Sequence, residues 1–343
     1  MRALSAADAV SPAIQRTREF LFRQFRWGTF LKLGLVAMIT EGIGTNFNSS
    51  NHGGQSSEHG PVINSLSAIP PVWIVGIVAA VAVVLLFSLV VFYLVTRLRF
   101  AFFHCLVHNT KLLRPGWHLY SQQAMRFFGL NVAVGFCFLL LMVLLLLPFI
   151  GGLWRLLRVT PPGGHPDIAL LLALILPLIP IILLLVLAGI VADIVLRDWM
   201  LPHYALENTT AGQAWTRVWA AIRAEKRQFF VYALLRLVLP LIAMVAVFMV
   251  LMIPGLILAG AFAAFGYGLH SAFAGASGAS AMVGILVQVF YGVLAFGIAL
   301  LAGVCLGGPV SAGVREYAIL FYGGRYPALG NILEPLSSAR NLA

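Results

Sequence analysis

The chain has 343 residues, of which 61% are apolar and only 10% charged, far from the roughly 45–50% apolar and 25% charged usage of soluble globular domains. Several apolar runs exceed the roughly 20 residues that cross a bilayer, which excludes a buried soluble core as their explanation and predicts a multi-pass membrane protein. Lys and Arg outnumber Asp and Glu by 22 to 11, but basic residues at membrane edges are the ordinary topogenic signal, with anionic headgroups as counter-charge, so the excess does not point to nucleic acid.

Cys105, Cys137 and Cys305 are scattered and lack CxxC pairing, so neither a disulfide framework nor a metal site is expected from them. Arg16, Arg18, Arg23 and Arg26 delay the first apolar run, and no small-residue cleavage motif follows it. The N-terminus is therefore expected to stay on the mature protein.

In chain order, Ser11-Pro12 marks a helix start, and a basic, aromatic helix is predicted over 11–27, with Phe20, Leu21, Phe22 and Phe25 among the arginines; it is either an interfacial helix or only a topogenic flank of the first span. The first span, 28–43, is short and carries Lys32 and Glu41, which are expected to snorkel to the near and far interfaces. A Gly, Asn and Ser rich external loop follows over 44–70. The second span is 71–96, and the connector 100–126 carries a Pro115-Gly116 break. The third span is 127–154, followed by an external turn with Pro161-Pro162-Gly163-Gly164. The fourth span, 168–195, should kink at Pro177 and Pro180.

Between the fourth and fifth spans, 196–236 is the one long segment that mixes charge, turn chemistry and helical amphipathicity between two apolar runs. Thr210 to Gln213 fits a capping box, and Trp215, Val218, Trp219 and Ile222 share one helical face of a connector helix over 211–227, with Arg217, Arg223, Lys226 and Arg227 on its basic side. The fifth span is 229–264, with Pro240 and Pro254 as kinks; 266–280 is an external piece; the sixth span is 281–314; and 315–343 is a polar cytoplasmic tail. This layout places 20 of the 22 Lys and Arg on one side, so six transmembrane helices with both termini in the cytoplasm are expected.

The pieces leading into the odd-numbered spans resemble one another: Ala13-Ile14-Gln15-Arg16, Gln123-Ala124-Met125-Arg126 and Ala214-Trp215-Thr216-Arg217. The exits Leu98-Arg99-Phe100, Leu196-Arg197-Asp198 and Val314-Arg315-Glu316 do so too. The expected fold is a single all-α membrane domain over 1–343. Within it, three helical hairpins of about 100 residues repeat in parallel orientation, each preceded by a cytoplasmic amphipathic helix.

Ionisable residues inside spans are the usual functional pointers. Asp193, Arg197, Arg236 and Lys32 form the candidate intramembrane polar contact, with Asp193 expected to pair with Arg236 or Arg197; a packing role is the simpler reading and a substrate or proton site the sharper one. Trp215, Arg217, Trp219 and Arg223 form the candidate interfacial surface. His104 and His108 flank Cys105 at helical spacing, and His52, Glu58 and His59 sit in the first loop. Neither set supplies a clear complement of ligands, so a structural role is expected and no metal or cofactor is assigned. No phosphate-binding loop, nucleophile elbow or HExxH helix occurs, and no segment outside the spans reaches the roughly 50 residues of an independent domain, so no catalytic residues are named and an enzyme is not expected.

The segments AIQRTREFLFRQFRWGTFLKLG, LRDWMLP, ALEN and AWTRVW resemble a broad group of uncharacterised multi-pass bacterial membrane proteins. That group is often placed near the membrane domain attached to some glycerophosphoryl diester phosphodiesterases. The phosphodiesterase catalytic domain has no counterpart here, so the resemblance implies an integral protein of the cell membrane without carrying over an activity. The favoured function is non-enzymatic binding of lipids or protein partners through basic, aromatic cytoplasmic helices. The alternative is a transporter or lipid-handling protein with a cleft between hairpins. The bilayer and anionic headgroups are the expected partners, nucleic acid is not, and oligomeric state is left open.

Overall fold

The computed structural model of the chain describes residues 3–23, 25–46, 71–159, 168–273, 275 and 277–333. The loop with His52, Glu58 and His59, the turn at 161–164 and the end of the tail lie outside these residues. Every regular element among the described residues is helical: α1 Val10–Phe22, α2 Trp27–Asn46, α3 Pro71–Val107, α4 Leu113–Leu119, α5 Ser121–Val159, α6 Ile168–Ile175, α7 Leu178–Ile194, a π-helical turn Val195–Met200, α8 Leu201–Glu207, α9 Ala211–Ala224, α10 Lys226–Phe273, α11 Ala279–Gly323 and α12 Pro327–Leu333.

Among the described residues, five helical runs are long and apolar enough to cross a membrane: Val75–Val107, Ser121–Gly152, Leu172–Glu207, Lys226–Phe273 and Ser280–Gly323. Their most apolar stretches are not covered by protein; Leu139, Leu144, Phe248 and Met249 are exposed. Contiguous apolar surface of that extent is stable only against lipid. Burial is concentrated instead where the same helices carry charge and aromatic rings. α10 holds 48 residues, about 72 Å at 1.5 Å per residue, more than twice the roughly 30 Å hydrocarbon core. The long helices therefore run past the bilayer, and the protein-protein core forms along those continuations.

Several boundaries differ from the sequence expectation for this reason. α11 does not give way to a polar tail at Arg315. It runs to Gly323, with Arg315, Glu316, Tyr317 and Phe321 buried, because the segment is aromatic enough to pack although it is not apolar enough to span. α10 likewise continues to Phe273 through much of the expected external piece. α1 starts at Val10 with Ala9 as its N-cap, ahead of the Ser11-Pro12 start expected; Ser5 and Asp8 exchange hydrogen bonds in the turn before it. Pro115 sits in the first turn of α4, where its missing amide costs nothing. The break at Pro177 occurs as expected, between α6 and α7, whereas Pro240 and Pro254 lie inside an uninterrupted α10.

The contacts group the chain into two compact units. The first comprises 1–50, 102–113 and 225–343. In it, α2 packs on α11 and α11 also packs on α1 and α10. Buried positions of α2 that include Phe30, Leu33, Ala37, Thr40 and Glu41 fall at three- and four-residue spacing on one face. Small residues let the backbones meet: a Cβ added at Gly308 would lie 2.6 Å from the Gly34 Cα, the close approach that drives helix association in lipid. Gly308→Ala is expected to cost about 2 kcal/mol by overpacking against backbone that cannot yield, read as a lowered midpoint in detergent thermal unfolding. The second unit comprises 51–101 and 114–224. Phe127 stands edge-on to Phe100 at 5.5 Å and to Tyr204 at 5.3 Å. Burial pushes the neighbouring Tyr120 phenol above the usual tyrosine range.

Candidate functional site

α9 is organised by its two faces. Thr210 precedes it, and the Thr210 backbone N–H donates to Gln213 Oε1 at 3.2 Å, the reciprocal arm of the expected capping box. Ala214 and Val218, one turn apart, are buried and fix the helix to its unit. The same spacing one residue on brings Trp215 and Trp219 together, with stacked rings 5.8 Å apart that remain 47% and 41% exposed. The Arg223 guanidinium lies 5.2 Å from the Trp219 ring centroid, and Arg217 pairs with Glu207. The four residues expected to form an interfacial surface thus sit on the outer side of one short helix. Val218 belongs to the opposite, anchoring face.

α1 has a similar division. Ala13, Thr17, Phe20 and Leu21 are buried, whereas Ile14, Arg18 and Phe22, each one turn from the next, are exposed. Phe22 stacks on Phe25 at 6.2 Å, and Phe25 stands edge-on to Trp27 at 5.0 Å. Exposed Arg18, Arg23 and Arg26 flank this aromatic group. Aromatic rings beside arginines are the composition of a membrane-interface anchor.

Beside α1, the first unit contains a groove of about 300 Å³ lined by Ile14 and Arg18 from α1, Leu239 and Ala243 from α10, and Pro309 and Gly313 from α11. Pro309 has no amide to offer the Cys305 carbonyl one turn back. Both hydroxyl groups on the groove wall are engaged within the protein: Thr17 donates to the Ala13 carbonyl at 2.7 Å and Tyr317 to the Ala6 carbonyl at 3.0 Å.

Two further polar assemblies hold this unit. Arg16 contacts Glu316 at 3.2 Å through Nε and donates through Nη2 to the carbonyls of Leu106, at 2.8 Å, and Val107, at 3.4 Å. It thereby satisfies the C-terminal end of α3, where a cation is favoured. Arg325 donates twice to Glu225 Oε2, at 3.0 and 2.6 Å, and also to the carbonyls of Leu4 and Phe321. Its guanidinium lies 4.0 Å from the Phe321 ring centroid. Neither assembly is marked by a motif; each joins residues far apart in the chain.

A family model described as a family of unknown function, DUF7544, matches residues 4–332. The chain belongs to that family. No curated protein and no solved structure matches it. Membership agrees with the expectation of a family without an assigned function, and it supplies no similarity to the membrane domain of glycerophosphoryl diester phosphodiesterases.

The intramembrane candidates are placed as follows in this member of the family. Asp193 bonds to Arg197 at 3.4 Å across one helical turn, one of the two pairings expected. Arg236 bonds instead to Glu41 at 2.7 Å. Glu41 therefore does not reach for a far interface; its carboxylate turns into the α2 packing face and meets the guanidinium from α10. Lys32 is exposed. The His104 and His108 rings lie 4.3 Å apart, and no group of three or more His, Cys, Asp or Glu side chains is gathered for a metal among the described residues.

Proposed function

We propose that this protein is a non-enzymatic integral protein of the cell membrane that binds anionic lipid at the membrane surface through its basic, aromatic helices α1 and α9. The observation that carries this reading is the α9 surface. Two large rings and two guanidinium groups are held outward by a helix whose other face is anchored through Ala214 and Val218. Tryptophan settles at headgroup depth and arginine at lipid phosphate, each basic residue near the surface contributing about 1 kcal/mol with anionic lipid. The charges that a transport pathway would use, Asp193 and Arg236, are engaged with Arg197 and Glu41, which favours binding over transport.

The topology that suits this function has six membrane helices, with α2 as the first and both termini on the cytoplasmic side, arranged as three related hairpins. Arg99, Arg197 and Arg315, at equivalent places in the three exits, are all buried. Asn109 and Asn208, which follow the first two exits, both adopt a left-handed conformation, with φ of 52° and 50°. The second exit is one residue longer than the first, and the π turn at Val195–Met200 accommodates an inserted residue of that kind. The third exit ends in glycines instead, at Gly323 and Gly324.

The test is thermal unfolding of the full chain in neutral detergent with and without phosphatidylglycerol. Ligand binding to the folded state raises the midpoint. The double variant Trp219→Ala, Arg223→Gln is expected to lose about 1 kcal/mol of the lipid-dependent stabilisation while its midpoint without lipid stays near wild type. An unchanged lipid increment in that variant would exclude α9 as the binding surface.

A further inference from the structure

We infer that the groove between α1, α10 and α11 is a specific lipid site, which seats one acyl chain of an anionic phospholipid and holds its headgroup phosphate on Arg18. This inference rests on the lipid-binding reading above and names a ligand and a place that the reading leaves open.

The shape of the groove selects the apolar part of the ligand. Its volume of about 300 Å³ is at the lower end of small-molecule sites, and its walls offer Ile14, Leu239, Ala243 and Pro309. Gly313 keeps it open: a Cβ there would meet only Thr17, at 3.6 Å, so the glycine is not required by crowding and leaves space that a larger side chain would fill. The two hydroxyl groups on the wall are spent on the Ala13 and Ala6 carbonyls. Their O–H donors are thereby committed, so a polar guest gains no donor from them along the walls, and a hydrocarbon chain needs none.

Charge selects the other end. Arg18 is exposed at the groove, and among the described residues no carboxylate pairs with it. One turn further along α1, Phe22 begins the group of Phe25, Trp27 and Phe30 rings, and Arg23 and Arg26 stand beside it. Aromatic rings mixed with arginines mark headgroup level. A ligand with its chain among Leu239, Ala243 and Pro309 therefore has its phosphate where a guanidinium is presented, and a guanidinium matches phosphate geometry. Leu239 lies about 20 Å along α10 from Lys226 at 1.5 Å per residue, within the depth of one leaflet's chains once the helix has entered the membrane.

The experiment is native mass spectrometry of the full chain released from detergent after exchange with phosphatidylglycerol or phosphatidylcholine of equal chain length. Wild type is expected to retain one phosphatidylglycerol in preference to phosphatidylcholine. Ala243→Phe and Gly313→Leu, which fill the groove from two walls, are expected to lower retention of both lipids by about tenfold, since each removes apolar contact along the chain. Arg18→Gln, a change at an exposed side chain that does not threaten folding, is expected to keep chain retention and lose about fivefold in preference for the anionic headgroup, the equivalent of one basic contact. Unchanged preference in Arg18→Gln, or unchanged retention in a folded groove-filling variant, overturns the site. Loss of retention in the α9 variant alone would leave the surface reading standing and remove this one; loss in the groove variants alone would do the reverse. A retained protein chain in place of lipid would overturn it as well.

Discussion

Arg16→Ala is expected to destabilise the protein by about 3–5 kcal/mol, the range for breaking a buried ion pair by removing one partner. The Glu316 side chain is 0% exposed, so loss of the guanidinium withdraws a compensating charge from a carboxylate that water cannot reach. The same substitution leaves the Leu106 and Val107 carbonyls at the end of α3 without their donor, and orphaned carbonyls at a helix end add to the cost. Equilibrium unfolding in a fixed detergent measures the effect. Adding Glu316→Gln should recover part of the loss, because a neutral amide is cheaper to bury than a carboxylate. The double-mutant cycle then separates the ion pair from the capping of α3. A loss below about 1 kcal/mol for Arg16→Ala, the usual value of an exposed pair, would show that Glu316 is neutralised by other groups.

Glu41→Ala is the second large effect, expected at about 3 kcal/mol, the cost assigned to an arginine at bilayer depth without compensation. Arg236 and Glu41 are 12% and 7% exposed at their side chains, and the pair is held between α2 and α10 on the face where α2 packs. Removal of the carboxylate forces Arg236 either to reach for an interface or to draw water into the unit. Either route loosens α2. Replacing both partners, as Glu41→Leu with Arg236→Leu, should restore most of the stability, since an apolar pair of similar bulk often matches a buried ion pair. If the double replacement is as unstable as Glu41→Ala, the pair is there for a reason other than packing, and the transport alternative regains its interest.

How far each feature was legible depends on the distance over which its cause acts. The all-helical class and the apolar runs follow from composition and periodicity, which are local. So does the capping box at Thr210 and Gln213, whose partners are three residues apart. The Asp193 to Arg197 bond follows from helical spacing alone. The partner of Arg236 did not, because Glu41 is 195 residues away and Asp193 offered itself as a nearer carboxylate. The same holds for Arg325 with Glu225 and for Arg16 with Glu316. Charged side chains in sequence look like solvated flanks or a polar tail, and only the fold shows that they close a core. The α11 continuation from Arg315 to Gly323 was hidden for a related reason. Hydropathy finds the part of a helix that faces lipid, whereas this part is buried in protein, and its aromatic residues Tyr317, Phe321 and Tyr322 serve that purpose without raising a hydropathy signal. The groove had no sequence signal of its own, since it arises where three helices from distant parts of the chain leave space around Pro309 and Gly313.

Anionic lipid is the proposed ligand. The composition of lipid that copurifies with the full chain from its native membrane, compared by mass spectrometry with the bulk lipid of the same membrane, tests this without a reconstituted system. Anionic phospholipid is expected to be enriched, to survive detergent washing and to fall in the Trp219→Ala, Arg223→Gln variant. Copurifying lipid that matches the bulk composition and is unaffected by that variant would contradict it.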